Sequence, residues 1–405
     1  MERCSCSRLW SSLKSSKYMK SAEIMSSYLA WDIMLRAQLQ DIARARDRRR
    51  KSRNSASRGK AFDMTDREFL KTYRLSKTLA RHLINELRPF LRRPRRSDAI
   101  SPENKVLIAL AFFASGSYQT ITGQCRVHGV SQPTVSRAIK EVVGALNMPD
   151  ILNKYIVFPL TQAGREQLKT QFYSKFSIPG VVGCIDGTHV SIIKPTQNEE
   201  RYMNRKGYHS LNVQIICDVN LNIMSVDASH PGSTHDSVIW GEHPLNNYLQ
   251  RQLALGENLY LLGDSGYALR PSMMTPILNA LPDTPEEHYY NLHVTARNTV
   301  ERCIGVLKAR FRCLLSARQL HYDPISAARI VNACCVLHNI ANKARLNVHP
   351  LNNDEIAAEL AANVDLRRLE ARTDSNRHQI NQELSEGRAV QQSLVDRLWE
   401  EKHRH

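Results

Sequence analysis

The stretch Val181-Val182-Gly183-Cys184-Ile185-Asp186-Gly187-Thr188-His189 decides how this chain is read. A short run of apolar, largely β-branched residues has the composition of a buried strand, and it breaks off at an acid followed by glycine. A carboxylate placed there projects from rigid scaffolding, and the glycine beside it lets a ligand approach the backbone. The pattern recurs at Leu259-Tyr260-Leu261-Leu262-Gly263-Asp264-Ser265-Gly266-Tyr267, where one glycine separates the apolar run from the acid. Further outward, residues 190–193, 211–219 and 223–226 read as strands. Residues 300–311 read as a helix with Val300, Ile304, Leu307 and Phe311 on one face, and residues 325–344 as a strongly apolar helix. Strands followed by helices predict a mixed α/β core over residues 151–345.

A third acid, Glu301, opens the segment 299–311 and lies off its apolar stripe. Two strand-end aspartates and a helical glutamate are hard oxygen donors of the kind that suits Mg²⁺ or Mn²⁺. A two-metal site of this type supports in-line phosphoryl transfer. Each acid also has a plain structural reading: Asp beside Gly is ordinary turn chemistry, and Glu at a helix start complements the dipole. The run His230-Pro231-Gly232-Ser233-Thr234-His235-Asp236-Ser237 supplies a fourth candidate. Asp236 either faces the same cleft and holds metal, directly or through water, or caps the helix that Ser237 begins. A zinc site built from His189, His230 and His235 is the lesser alternative, because carboxylates dominate the set. No Gly-x-Ser-x-Gly elbow and no phosphate-binding Gly-rich loop ending in Lys-Ser/Thr occurs, which excludes those two chemistries.

Residues 65–148 read as helical, with Ser101-Pro102-Glu103 as an N-cap and first turn. Residues 118–128 form a short helix, Gly129-Val130 a tight turn, and Ser131 caps a second helix whose apolar face is Val135, Ile139, Val142 and Val143. This is the pattern of a helix-turn-helix, or of an ordinary helical hairpin. In the first case Gln132, Thr134, Ser136, Arg137 and Lys140 face outward to reach bases or phosphates.

The charge is unevenly spread. The 405 residues carry 56 Lys/Arg against 39 Asp/Glu. Residues 1–100 hold 25 against 10, and the remainder 31 against 29. The excess forms two runs, Arg44 to Arg53 and Arg92-Arg93-Pro94-Arg95-Arg96. Such a leader suits a polyanion partner, a nuclear address, or simply a solvated tail. No stretch approaches the roughly 18 apolar residues of a membrane span, and the first 20 residues lack the apolar core of a secretory signal. Nine cysteines occur without any Cys-x-x-Cys, which supports neither a disulfide framework nor a zinc finger. Four segments are therefore expected: a basic, flexible leader (1–60), a helical domain (61–150), the α/β domain (151–345), and a polar tail (346–405) that is helical or partly disordered.

Six motifs then fall in one order: Cys184-Ile185-Asp186-Gly187-Thr188-His189; Arg205-Lys206-Gly207-Tyr208-His209-Ser210-Leu211-Asn212; Pro231 to Ser237; Gly263-Asp264-Ser265-Gly266-Tyr267; Val300-Glu301-Arg302 with Arg310-Phe311-Arg312-Cys313-Leu314; and Cys334-Cys335-Val336-Leu337-His338-Asn339. In this the chain resembles the PIF/Harbinger-type transposases and the Harbinger transposase-derived nucleases, over about residues 65–345. The resemblance implies an α/β fold: an RNase H-like mixed sheet flanked by helices, preceded by a helical helix-turn-helix domain. It implies a catalytic triad at Asp186, Asp264 and Glu301, with Asp236 as a further metal-associated acid, and a divalent Mg²⁺ or Mn²⁺ cofactor. It also implies a nuclear location, DNA as substrate, and a Myb/SANT-like DNA-binding partner. The expected activity is a metal-dependent DNA endonuclease, with Lys194, Arg205 and Lys206 holding the DNA backbone. The rivals are a DNA-binding regulator that keeps the fold without cutting, and an RNA nuclease on the same fold. A homo-oligomer is compatible with all three.

Overall fold

In the computed structural model, strands β1 (Val181–Ser191), β2 (Ser210–Cys217), β3 (Ile223–Pro231), β4 (Tyr260–Leu262) and β5 (Met273–Met274) form one mixed sheet in the order β3-β2-β1-β4-β5. The structure describes residues 61–93, 100–116, 118–124, 128–348, 350–364 and 379–404. The chain divides into two compact units, Met1–Gly59 and Lys60–His405. The basic leader lies outside the described residues, and so do Cys4 and Cys6 and, within the second unit, Arg95 and Arg96 of the second basic run and Cys125.

β1 to β3 pair antiparallel, whereas β4 lies parallel to β1 and β5 parallel to β4. One expectation is corrected here. Asp186 does not end a strand: residues 181–185 and 190–193 are not two pieces, because β1 runs on through Asp186-Gly187 to Ser191. Its continuation is held by β2, which pairs with β1 from Cys184 to Ser191. What stops is the neighbour on the other side. β4 pairs with β1 only as far as Cys184↔Leu262, so the sheet opens beside Asp186. A bulge between Val181 and Gly183 sets the alternation. Cys184 packs in the larger apolar cluster with Ala296 and Val300, while Ile185 packs in a smaller one with Trp240, Leu249 and Tyr267.

Helices surround this sheet. Before it come α1 (Asp66–Tyr73), α2 (Lys77–Leu87), α3 (Pro102–Ser115), α4 (Gln119–Gln124), α5 (Gln132–Leu146), α6 (Pro149–Tyr155) and α7 (Gln162–Phe176). Ser101 caps α3 as its sequence predicts, its Oγ accepting from the Asn104 amide at 3.2 Å. α4 is shorter than residues 118–128, and His128 lies in the turn with Gly129 at φ +54°. Within and after the sheet follow α8 (Glu199–Tyr202), α9 (Asp236–Glu242), α10 (Pro244–Ala254), α11 (Pro285–Arg310), α12 (Pro324–Lys343), α13 (Asn353–Val364) and α14 (Gln379–His403).

α11 is the second departure. It starts at Pro285, capped by Thr284, and not near residue 299, so Glu301 sits mid-helix and not in a first turn. The polar stretch 285–298 is helical because Tyr289, His293 and Ala296 recur on one buried side. α14 buries Leu394, Val395 and Leu398, and Gln391 donates to the Thr275 carbonyl at 2.8 Å. Cys184, Cys217, Cys303, Cys313, Cys334 and Cys335 are free and buried, as small core residues. Among the described residues no helix is long and apolar enough to cross a membrane.

Candidate active site

Asp186, Asp236, Asp264 and Glu301 come from four separate elements and line one cavity of about 200 Å³. Asp186 stands on β1 where β4 has ended. Asp264 lies two residues past β4 in a turn closed on itself: its Oδ1 accepts from the Gly266 amide at 3.0 Å and its carbonyl from the Tyr267 amide at 3.2 Å. Asp236 is the first residue of α9, and the cap position belongs to His235. The capping role considered for Asp236 is therefore not the one it takes. Asn212 on β2 donates to Asp236 Oδ1 at 2.6 Å, and Gln214 donates to the Asp236 carbonyl at 3.3 Å. These two amides are buried on β2 and explain why polar residues occur in a strand buried along its whole length.

Gly187 permits the approach of Asp236. A Cβ at Gly187 would stand 2.4 Å from Asp236 Oδ1 and 2.6 Å from Oδ2. Tyr267, three residues past Asp264, is buried in the smaller apolar cluster. Its hydroxyl accepts from Gln214 Nε2 at 3.2 Å, and its ionisation is pushed far up by burial and then by the charges of Asp236, Asp186 and Asp264. One buried phenol thus senses all three aspartates.

Sequence reasoning missed Arg297. It lies on α11 one turn before Glu301, and its guanidinium bridges the acids: Nη2 donates to Asp186 Oδ2 and Nη1 to Glu301 Oε1, each at 2.7 Å. The Arg297-x-x-x-Glu301 spacing is a visible i,i+4 signal, but its link to Asp186 is not in the sequence. Burial raises the Asp186 carboxyl to about 7; Arg297 opposes this, and the charges of Asp264, Asp236 and Glu301 add to it. Burial works against the Arg297 charge, but Asp186, Asp264 and Glu301 outweigh it and hold the guanidinium above its ordinary range.

The donor chemistry suits a hard divalent cation. Four carboxylates, Asp186, Asp236, Asp264 and Glu301, share the cavity wall, and hard oxygen donors of this kind match Mg²⁺ or Mn²⁺. Among the described residues, no three acids, histidines or cysteines are placed close enough to enclose a metal ion. Of the alternative zinc set, His189 and His235 line the same cavity and His230 does not, and each of the three has another partner. His189 Nδ1 pairs with Ser210 Oγ at 2.9 Å, His230 with Asp227 at 3.2 Å, and His235 with Arg205 at 2.9 Å.

The basic candidates separate. Arg205 lines the cavity beside His235. Lys194 is exposed, pairs with Glu199 at 2.6 Å, and is not among the lining residues. Lys206 acts on His189 from a distance; burial, then Lys308, Lys206 and Arg205, lower that imidazole to about 4. Gln132, Arg137 and Lys140 are exposed on α5, with Thr134 and Ser136 half-buried beside them, and none of the five reaches the cavity. Two further lining residues were not foreseen: Lys308 on α11 and Glu359 on α13.

A model of the DDE superfamily endonuclease family matches residues 185–339. The chain is 38% identical over 294 residues to "Putative nuclease HARBI1" of Bos taurus, covering 72% of this chain and 82% of that protein. The corresponding protein of Homo sapiens is 37% identical over the same shares. "Protein ALP1-like" of Arabidopsis thaliana is 25% identical over 254 residues, 60% of this chain and 61% of that one. No solved structure matches.

Proposed function

Because this chain belongs to the Harbinger transposase-derived nucleases of the DDE endonuclease superfamily, we propose that it is a metal-dependent nuclease that hydrolyses phosphodiester bonds in DNA. The observation that carries the reading is the convergence of Asp186, Asp236, Asp264 and Glu301, from four separate elements, on the wall of one cavity. Asp186, Asp264 and Glu301 are the catalytic triad, and with Asp236 they are the residues that hold Mg²⁺ or Mn²⁺. Bound there, a divalent cation supplies Lewis-acid charge that favours ionisation of an attacking water and stabilises the leaving oxygen. The chain's own contribution is positioning. β1 and the β4 turn fix two aspartates on rigid backbone, Asn212 orients Asp236, and Arg297 turns Asp186 and Glu301 toward each other.

DNA is held by Arg205 at the cavity rim, with Lys194 and Lys206 along the same segment. α4 and α5 act as a helix-turn-helix in an N-terminal helical domain, presenting Gln132, Thr134, Ser136, Arg137 and Lys140. The mixed sheet, with three antiparallel strands followed by two parallel ones, supports an RNase H-like core. The basic leader serves as a nuclear address, and a Myb/SANT-like protein is the partner in target binding. These last two features rest on the family and on leader charge. A second reading is favoured by Arg297. A site whose acids are already paired with a guanidinium suits a DNA-binding regulator that does not cut.

Incubation of the full chain with duplex DNA and Mg²⁺ or Mn²⁺ separates the two. Cleavage by wild type that is lost in Asp264→Asn supports the nuclease. Retained wild-type cleavage in Asp264→Asn overturns the assignment of the triad. Binding of duplex with no cleavage under either metal favours the regulator.

A further inference from the structure

Glu359 is the fifth carboxylate on the cavity wall, and it arrives from α13, beyond the matched family segment. Its Oε2 accepts from Lys308 Nζ at 2.8 Å, and its Oε1 accepts from the Ser316 amide. Lys308 lies on α11 two helical turns past Glu301, is 4% exposed, and also donates to the His189 carbonyl at 3.3 Å. One turn before Glu359, Glu355 faces Arg312 at 3.4 Å, and Arg312 donates to the Pro350 carbonyl at 3.1 Å. α13 thus sets two carboxylates on two cations that run outward from the catalytic acids.

The attachment is polar. No residue from 350 to 359 is buried, and Ile356 is 43% exposed. The sequence of α13, Asn353–Val364, holds three acids and no Lys or Arg. A helix whose described side chains, residues 353–359, are held by ion pairs with none of them buried has the character of the low-stability part of a fold, which can detach without unfolding the rest. Carboxylate and phosphate oxygens also compete for the same donors, since both are anionic acceptors of charge-assisted hydrogen bonds.

We propose that α13 is an autoinhibitory plug, in which Glu359 and Glu355 occupy the phosphate positions at Lys308 and Arg312 that a DNA backbone takes when it enters the catalytic cavity. The inference rests on the DNA-nuclease reading and adds its regulation. Duplex DNA must displace α13, so the apparent affinity of the closed protein falls by the fraction of molecules that are open.

The test uses the full chain, a mixed-sequence duplex oligonucleotide at low salt, and the variant Glu355→Gln/Glu359→Gln. Hydrogen exchange of wild type is expected to speed up in residues 353–364 when duplex is added. The double variant is expected to bind that duplex at least about tenfold tighter than wild type. Duplex binding that leaves exchange in 353–364 unchanged or slowed overturns the plug, whether or not the variant folds, and leaves the DNA reading standing. Equal affinities of a folded variant and wild type also overturn the plug. Absence of duplex binding by wild type and variant alike overturns the DNA reading, and the plug with it.

Discussion

Gly187 and Asp236 occupy each other's space: the volume a Cβ at Gly187 would fill is taken by the Asp236 carboxylate, 2.4 Å from that position. β1 and α9 therefore approach more closely at the acids than any residue with a side chain allows. Gly187→Ala is expected to push Asp236 off Asn212 and out of register with Asp186. A misplacement of this size costs on the order of a hundredfold in turnover. Overpacking is expected to cost about 1–3 kcal/mol of stability. Single-turnover cleavage rates beside urea unfolding check both. A fully active, equally stable alanine variant would show that the close approach has no role.

Arg297 carries charge compensation for Asp186 and Glu301. Arg297→Met keeps the packing and removes the cation, leaving carboxylates crowded in a largely buried site. The expected loss is about 3 kcal/mol at neutral pH. Mg²⁺ should raise the melting temperature of this variant more than that of wild type, because the added cation replaces the missing one. Thermal unfolding with and without Mg²⁺ reads this directly. Equal shifts would show that the acids do not share a cation.

Acid should destabilise the protein between about pH 6.5 and 4. Burial lowers His128, His189 and His293 to about 4 each, with nearby cations adding to the effect on His189. In this window the unfolded chain takes up protons on these rings and the folded chain does not, so stability is present above pH 6.5 and is lost as pH falls. Asp186, raised to about 7, works in the opposite sense, since there the folded form binds the extra proton. The three rings, roughly 3 kcal/mol each, outweigh Asp186 at about 4 kcal/mol. Urea unfolding at pH 7 and pH 4.5 checks the sign. His293→Gln is expected to flatten part of the slope.

The two exposed cations on α5 give a prediction separate from the cavity. Arg137→Ala and Lys140→Ala should each weaken duplex binding across all sequences and lower the salt slope by about 0.9 per lost phosphate contact. Asp264→Asn should leave that slope unchanged. Anisotropy titrations at several salt concentrations decide it. An unchanged slope in both α5 variants would remove the helix pair from the DNA interface.

Much of the site was legible along the chain because its acids flank strong local signals. An apolar run ending in Asp-Gly marked Asp186, a strand followed by Gly marked Asp264, and the turn before α9 marked Asp236. The local picture was less accurate than the residues it selected. Asp186 was read at a strand end and lies mid-strand, since antiparallel pairing to β2 carries β1 past it. Glu301 was read at a helix start and lies mid-helix, since Tyr289 and His293 bury the preceding turns.

The sequence by itself determined the mixed α/β class and the order of the main elements, because periodicity and turn chemistry act over a few residues; it marked Asp186, Asp236, Asp264 and Glu301 singly, and only the family resemblance joined them into a set. Only the tertiary structure decided which charges meet. Arg297 reaches Asp186 across 111 positions, Glu359 reaches Lys308 across 51, and Asn212 reaches Asp236 across 24. Such pairings follow from sheet order and helix packing, which bring distant segments to one opening in the sheet. Coulomb interactions depend on that spatial separation and on burial, and neither is written in the spacing along the chain.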